Sequence, residues 1–296
     1  MMRPTKGIIF IIISALMFGS YGLWSKLLGD SFDPFYQGWT RGFILAVFLL
    51  PILIFNKQIV LIKRKDWKWL SVFLFFTSLT QAPLYYAFNH MDIGSATLLF
   101  FVSYALTMYL FGLVFLNEKL TKLKIIALVI ALIGMYIVFS FSFAVFSLLA
   151  ALLAIVNGIA SGGEISSSKK LSGNYSPLYL SWLSWVIIFI SNLAISLIIG
   201  ETQHMPALNR VWLFQIGYTI ASVLGFWLVI KGLQQVEASV AGLIGLLEIV
   251  FSVLLGIFIF HEQLNLKIIL GGILIIIAAA LPHLHNVIKI KRKTKH

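Results

Sequence analysis

The chain has 296 residues, of which 60% are hydrophobic and only 11% are charged. Soluble globular domains are about 45–50% apolar and about 25% charged, so this composition excludes a water-soluble enzyme, a nucleic-acid-binding protein and a disordered scaffold. The net charge of +12 therefore needs an explanation other than nucleic acid. Because the sequence contains no cysteine, it has no disulfide, thiolate metal site or cysteine nucleophile.

Hydrophobic runs of membrane-spanning length follow one another along the chain. A helix needs about 20 apolar residues to cross a bilayer. We predict ten such helices, at residues 7–28, 35–55, 67–88, 93–116, 123–143, 145–167, 177–199, 211–231, 238–260 and 267–288. The first run is too long for the apolar region of a signal peptide, so we expect it to remain as a membrane helix. The sequence therefore predicts an all-α polytopic membrane protein.

Basic residues are distributed unevenly between the two sides that ten helices would define. If the N-terminus is cytoplasmic, 18 of the 22 Lys and Arg residues fall on the cytoplasmic side. Cytoplasmic loops of membrane proteins are enriched in Lys and Arg. We therefore predict cytoplasmic N- and C-termini in a plasma or inner membrane, with the basic side in contact with anionic lipid headgroups.

A pattern of polar residues around a long apolar run occurs twice. Ser95 and Glu118 in the first copy are matched by Ser239 and Glu262 in the second copy, at one constant spacing. The repeat divides the chain into a five-helix half at 1–143, a second five-helix half at 144–288 and a basic cytoplasmic tail at 289–296. Because five is odd, the second half enters the membrane in the opposite sense. This inverted-repeat arrangement is the one that transporters use for alternating access.

Short motifs in both halves are shared with a known family of membrane proteins. A Glu-x-Leu-Thr/Asn motif follows the fourth helix of each half, the segment 15–20 and Lys26 lie in the first helix, and Leu247-Glu248 lies in the ninth. With ten helices in two halves, the chain resembles the EamA group of the drug/metabolite transporter superfamily. Ile249 stands where the family often has proline, which removes the basis for a proline kink there. The resemblance implies a polytopic carrier of small metabolites, often an exporter in a bacterial inner membrane.

Glu248 lies near the centre of its predicted helix, where an ionised side chain costs at least about 2.5–3.5 kcal/mol. Burial favours the neutral acid, so Glu248 could exchange a proton and couple it to substrate movement. The alternative is a structural carboxyl that is bonded to a neighbouring helix. Tyr104 occupies the matching place in the first half, at the same spacing, and is a second candidate, either for the pathway or for packing.

Two further charged residues lie within or just inside predicted helices. Arg41 is about 9 Å into the second helix. Its guanidinium could pair with Glu248, bind a substrate carboxylate or snorkel to the outer headgroups. Glu164 follows a glycine-rich stretch near the cytoplasmic end of the sixth helix. It could line a cavity where the glycines permit close helix approach, or it could be an interfacial acid near Lys169 or Lys170.

Uncharged polar residues interrupt several predicted helices. Gln81 and Pro83 lie in the third helix, where the proline frees a backbone carbonyl, and Tyr85 follows them. Asn157 and Gln215 lie in the sixth and eighth helices. Together these residues fit a site for a polar, partly apolar solute. Individually, each could instead form a hydrogen bond between helices.

Charged residues in the connections have structural roles in our interpretation. Glu118 and Glu262 each precede a helix N-cap, where acidic charge is favourable. His90, Asp92 and Glu237 are expected to be solvated, with a gating pair as the alternative.

The predicted function is secondary transport of small organic metabolites such as amino acids, by alternating access, with export as the expected direction and proton coupling through Glu248. A passive channel or facilitator is the alternative. The sequence contains no His-Glu-x-x-His motif, no Gly-x-Ser-x-Gly motif and no phosphate-binding loop, so we expect neither an enzyme nor a cofactor or metal. The chain could act as a monomer or a homodimer on a small-molecule substrate, with membrane lipids as its surroundings.

Overall fold

The computed structural model describes residues 4–80, 82–139 and 147–293, and these residues contain helices and no strands. The α-helices, in chain order, are α1 (Pro4–Gly19), α2 (Tyr21–Leu28), α3 (Pro34–Phe55), α4 (Trp67–Ser78), α5 (Ala82–His90), α6 (Ile93–Phe115), α7 (Lys122–Phe139), α8 (Leu148–Leu171), α9 (Pro177–Ile199), α10 (Arg210–Leu233), α11 (Ala238–Gly245), α12 (Leu247–Phe260) and α13 (Leu266–Lys293). Two short 3₁₀ helices, Gly29–Ser31 and Arg64–Asp66, lie in the connections.

Eight segments of the described residues are long and apolar enough to cross a membrane. They are α1 with α2, α3, α6, α7, α8, α9, α10, and α11 with α12. Large apolar side chains are exposed on these helices, for example Phe48, Leu110 and Ile198. Such a surface fits lipid rather than water. The other two predicted spans, 67–88 and 267–288, fall on α4 with α5 and on α13, and their crossing of the membrane stays a prediction.

Polar side chains at the ends of loops begin several of these helices. The Ser176 hydroxyl accepts a hydrogen bond from the Tyr179 amide at 3.1 Å at the start of α9, and the Asn209 side chain accepts one from the Trp212 amide at 3.0 Å at the start of α10. Each cap satisfies one of the amides that a helix leaves unpaired. Helix α9 ends at Gly200, whose φ of 75° suits glycine.

Three of the predicted continuous helices are broken in the middle. Helix α1 ends before Ser20 and α2 begins after it, α11 and α12 are separated at Leu246, and α4 ends at Ser78 while α5 begins at Ala82. Only the last break has a proline in its next turn, Pro83, so the sequence contains no proline signal for the first two.

The helices pack in a pattern that repeats between the two halves of the chain. Helix α1 packs against α10 and α12, and α8 packs in the same way against α4 and α6. All of these contacts join the two halves, and two further contacts pair equivalent helices, α3 with α9 and α7 with α13. Because α8 and α10 have neighbours on several sides, more than half of the residues in their apolar stretches are buried. The interior of the bundle therefore lies between α1, α6, α8 and α10.

Candidate functional site

Arg41 is buried between α3 and α10 and is only 1% exposed. Its Nε donates to the Gln37 carbonyl at 3.1 Å and its Nη1 to the Ser222 hydroxyl at 3.4 Å. The guanidinium carbon lies 3.8 Å from the centre of the Tyr218 ring, a cation–π contact. Arg41 therefore does not snorkel to the headgroups, and its charge is stabilised inside the protein.

Gln215 lies beside Arg41 and shares its backbone acceptor. The Gln215 amide nitrogen donates to the Gln37 carbonyl at 3.0 Å and to the Thr40 hydroxyl at 2.7 Å. Its side-chain oxygen is buried and accepts no hydrogen bond within the described residues. The structure thus brings two of the predicted candidates together and leaves one hydrogen-bond acceptor open next to a cation.

Tyr21 connects the Arg41 cluster with Glu248. Its ring packs edge-on against the Tyr218 ring, with 4.8 Å between the ring centres, and its hydroxyl interacts with the Ser222 side chain. The same hydroxyl interacts electrostatically with both Arg41 and Glu248. The three described ion pairs do not include one between Arg41 and Glu248. A tyrosine therefore interacts with both of the charges that the sequence suggested as a direct pair.

Glu248 lies in the first turn of α12, directly after the break at Leu246. Its side chain is partly buried, and within the described part of the chain no cation or hydrogen-bond donor contacts its carboxyl group. Tyr104 is 5% exposed and interacts electrostatically with Glu248. The Tyr104 hydroxyl lies beside Gly245, where an added Cβ would come within 3.0 Å of it. The two residues matched by the repeat spacing are thus close to each other at the helix break.

Glu164 forms a second polar cluster between α4, α8 and α9. Its Oε1 accepts hydrogen bonds from the Thr77 hydroxyl at 2.9 Å and from the Ser184 hydroxyl at 2.6 Å. The residue is 6% exposed, and no lysine or arginine of the described residues forms an ion pair with it. Glu164 is therefore a buried acid with neutral partners, and Lys169 pairs with Glu118 instead.

Asn157 satisfies the carbonyl that Pro83 leaves unpaired. The carbonyl of Leu79, four residues before the proline, accepts a hydrogen bond from the Asn157 side-chain amide at 3.2 Å. Asn157 is fully buried and its own side-chain oxygen has no described partner. Of the neighbouring candidates, Gln81 lies outside the described residues, and of Tyr85 only the position on α5 is described.

Two glycines, one in each half, make equivalent close contacts with the backbone of a helix in the other half. A Cβ on Gly19 would lie 2.7 Å from the carbonyl oxygen of Glu248, and a Cβ on Gly162 would lie 2.9 Å from that of Tyr104. The spacing from Gly19 to Gly162 is one position shorter than the spacing from Tyr104 to Glu248. Only glycine allows such an approach of two helix backbones. The contact between α1 and α12 therefore recurs between α8 and α6.

The spacing that relates the two glycines also relates the two polar clusters. It pairs Tyr21 with Glu164 and Arg41 with Ser184. The first half therefore contributes the cation of Arg41 and the phenol of Tyr21, and the second half contributes the acid of Glu164 and the hydroxyl of Ser184. The sequence reasoning missed the uncharged members of both clusters, Tyr21, Thr77, Ser184, Tyr218 and Ser222. A search for repeats at this slightly shorter spacing could have indicated Tyr21 and Ser184, because it matches them to Glu164 and Arg41.

Comparison with known proteins matches this arrangement to one family. The model of the EamA-like transporter family matches twice, at residues 5–140 and 148–282. The chain belongs to the EamA-like transporter family. It is a multi-pass membrane protein and a transporter rather than an enzyme, as the resemblance predicted.

Relatives of this EamA-family chain are known from bacteria and archaea. It is 27% identical over 271 residues to a Bacillus subtilis protein named uncharacterized transporter YojE, in a match that covers 88% of this chain and 87% of the relative. It is 25% identical over 274 residues to an uncharacterized transporter of Archaeoglobus fulgidus, in a match that covers 90% and 92% of the two chains. A crystal structure of a protein with 15% sequence identity has the same fold, with a TM-score of 0.78 over 93% of this chain and 97% of that one.

Proposed function

We propose that this transporter exports small organic metabolites, with amino acids as the expected class, by alternating access coupled to protons. One observation carries the proposal. The interior holds two opposite charges, Arg41 and Glu248, which form no ion pair with each other among the described contacts, and Tyr21 interacts with both. A carboxylate without a cation inside a membrane protein is costly, so a function is the default explanation for it.

The two charges favour a zwitterionic substrate. A guanidinium has the planar donor geometry that matches a carboxylate, and the Glu248 carboxyl group can accept hydrogen bonds from an ammonium group. The open Gln215 oxygen offers another acceptor next to Arg41. The aromatic rings of Tyr21, Tyr104 and Tyr218 supply apolar surface for the rest of the solute. This chemistry supports amino acids and related compounds.

Proton coupling follows from the surroundings of Glu248. The ionised carboxylate gains no described ion pair that would offset its desolvation. A substrate ammonium group would stabilise the ionised form, so a substrate and a proton would compete for Glu248. Such competition couples the movement of one to that of the other. Glu164, which also lacks a described cation, is the second candidate for carrying a proton.

The proposed architecture consists of ten membrane helices in two inverted repeats, at 1–143 and 144–288, with a basic tail at 289–296. The recurrence of the α1 contacts in α8 supports the repeats. The 18 basic residues on one side support cytoplasmic termini, with that side facing anionic lipids. One chain encloses the pathway in this proposal, and a homodimer is the alternative.

Transport into reconstituted vesicles tests this function. Purified protein in liposomes is given an imposed pH gradient and a panel of labelled amino acids, with empty liposomes as the reference. We expect uphill accumulation that disappears when the gradient is dissipated and that is lost in Glu248→Gln. Glu248→Asp is the matched control, because it keeps an ionisable carboxyl group.

Three results would contradict the proposal. If no amino acid moves faster than in empty liposomes, the substrate class is wrong. If Glu248→Gln retains uphill transport, Glu248 does not carry the coupling. Downhill flux that never becomes uphill in the wild-type protein would favour the passive facilitator.

A further inference from the structure

Glu118 closes one end of the helical bundle by capping a helix of the other half. Its carboxylate accepts hydrogen bonds from the Ala238 amide, from the Ser239 amide at 3.0 Å and from the Ser239 hydroxyl at 2.7 Å. Lys169 at the end of α8 forms an ion pair with it at 2.9 Å, and the Glu118 side chain is only 4% exposed. The start of α11 is therefore held against the end of α6.

The local backbone aims this carboxylate at α11. Asn117 has a φ of 54°, a left-handed conformation that asparagine tolerates. The Glu118 amide then donates back to the Gly112 carbonyl at 2.9 Å. Gly112 leaves room for the folded-back side chain, since a Cβ there would lie 2.7 Å from Glu118 Oε2.

The same construction occurs at the opposite end of the bundle, in the second copy of the repeat. His261 has a φ of 55°, and the Glu262 amide donates to the Gly256 carbonyl at 3.3 Å. Lys26 forms an ion pair with Glu262 at 2.9 Å. Both ends thus have a turn that folds a glutamate back onto a glycine and pairs it with a lysine of the first helix of the other half.

The two ends differ in what the glutamate caps. Both Glu262 and Lys26 are about half exposed, and no hydrogen bond joins Glu262 to the start of α6 within the described residues. The residues of α6 that correspond to Ala238 and Ser239 are Gly94 and Ser95. The Ser95 amide and hydroxyl are instead bonded to the Asp92 carboxylate, at 2.9 Å and 3.1 Å.

We propose that the two ends close alternately by exchanging these caps. In the state described here Glu118 caps α11. In the opposite state Glu118 leaves α11, and Glu262 replaces Asp92 as the cap of α6 at Gly94 and Ser95. The inference rests on the alternating access of the proposed function and assigns the contacts that open and close.

The lysine pairs stay intact during this exchange. Lys169 and Glu118 lie at the ends of α8 and α6, which pack against each other, and Lys26 and Glu262 lie on or next to α2 and α12, which also pack together. Each lysine therefore orients its carboxylate from within one group of helices, while the cap is made to the other group. Lys169 also donates to the Val236 carbonyl next to α11 at 2.7 Å, a contact that would open together with the cap. Lys124, which pairs with Glu237 at 2.6 Å, adds a further contact at the Glu118 end.

Distances between spin labels at both ends test the exchange. The sequence contains no cysteine, so two introduced cysteines are the only labelling sites. Lys6→Cys with Gly173→Cys reports the Glu118 end, and Ser31→Cys with Leu149→Cys reports the Glu262 end; all four positions are exposed. In the parent background we expect a short distance for the first pair and a long one for the second.

Glu118→Ala should lengthen the distance between labels at residues 6 and 173 and shorten the distance between labels at residues 31 and 149. Adding Glu262→Ala should abolish that shortening. Lys119→Gln, which changes an exposed side chain beside Glu118 that forms none of the described ion pairs, is the control and should leave both distances unchanged. If Glu118→Ala does not fold, Ser239→Ala removes one donor of the cap and should shift both distances in the same directions.

The inference is overturned if a folded Glu118→Ala or Ser239→Ala variant leaves both label distances unchanged, or if the distance at one end changes without the other. It is also overturned if the variant that combines Glu118→Ala with Glu262→Ala still has a shortened distance between residues 31 and 149. These distances are measured without substrate. Exchange of the distances without transport in vesicles would contradict the proposed function and leave the cap exchange standing. Transport in vesicles without any change of the label distances would contradict the cap exchange and leave the proposed function standing.

Discussion

Tyr21 and Glu164 occupy equivalent places in the two halves, and each interacts with hydroxyl side chains of neighbouring helices. A phenol in one half and a carboxyl in the other break the symmetry of an otherwise repeated interior. The repeat therefore builds the scaffold, and substitutions at equivalent positions give each half its own chemistry.

Glu164→Gln should change stability little, because the amide oxygen can still accept hydrogen bonds from Thr77 and Ser184. Glu164→Ala should lower the free energy of unfolding by about 1–3 kcal/mol, since buried hydroxyls lose their acceptor. Denaturant or thermal unfolding in detergent measures both variants. If Glu164→Gln lowers the free energy of unfolding as much as Glu164→Ala does, then the cluster requires the ionised carboxylate.

Tyr218→Leu should destabilise the folded protein by about 0.5–2 kcal/mol, because it removes the ring on which the Arg41 guanidinium lies. Tyr218→Phe keeps the ring and serves as the control. Thermal unfolding of the two variants gives the comparison. An equal loss of stability in Tyr218→Phe and Tyr218→Leu would show that the hydroxyl, and not the cation–π contact, stabilises this site.

Asn157→Ala should cost about 1–3 kcal/mol, because the Leu79 carbonyl loses its donor in a buried place. In a Pro83→Ala background the loss should be smaller, since an alanine at this position restores an amide that can bond to that carbonyl. A double-mutant cycle on unfolding free energies measures the difference. Strictly additive effects would contradict the assignment of Asn157 to the carbonyl that the proline leaves free.

The Glu118 closure should resist mild acid. Burial by itself raises the pKa of Glu118, but the Ser239 hydrogen bonds and the Lys169 ammonium outweigh it and hold the pKa below its ordinary value. A lowered pKa in the closed state means that the contact stabilises the protein above the ordinary Glu pKa and is lost as the pH falls through the lowered one. Lys124, Glu237 and Tyr109 are the other titratable groups at this end.

Distances between labels at residues 6 and 173, recorded from neutral pH downward, check this expectation. The Glu118 end should stay closed until the pH is below about 4.3, the ordinary pKa of a glutamate. Opening near pH 6 would instead indicate that another group controls the closure.

Asp92→Ala should shift the resting molecule towards closure at the Glu262 end, because it removes the carboxylate that now occupies the start of α6. Asp92→Asn keeps a side chain that can cap and should shift it less. The label pair at residues 31 and 149 measures the shift. An unchanged distance in Asp92→Ala would mean that Asp92 does not compete with Glu262.

Hydropathy predicted the eight long spans, because lipid demands long apolar helices and the sequence shows them directly. The spacing of Ser95 and Glu118 from their second copies predicted two related halves, and the family match in two segments agrees with it. The breaks at Ser20 and Leu246 could not be predicted, since neither has a proline nearby. The role of Glu118 was also missed, because a helix cap supplied from the other half of the chain leaves no local pattern.

The glycine contacts limit which parts of this transporter can move as units. Gly19 joins α1 of the first half to α12 of the second at backbone contact, and Gly162 joins α8 of the second half to α6 of the first. Any separation of the two sequence halves would have to pull both contacts apart. In the proposed alternating access the two mobile bodies are therefore mixed: one combines α1 with α12 and the other α6 with α8, each assembled from both copies of the repeat.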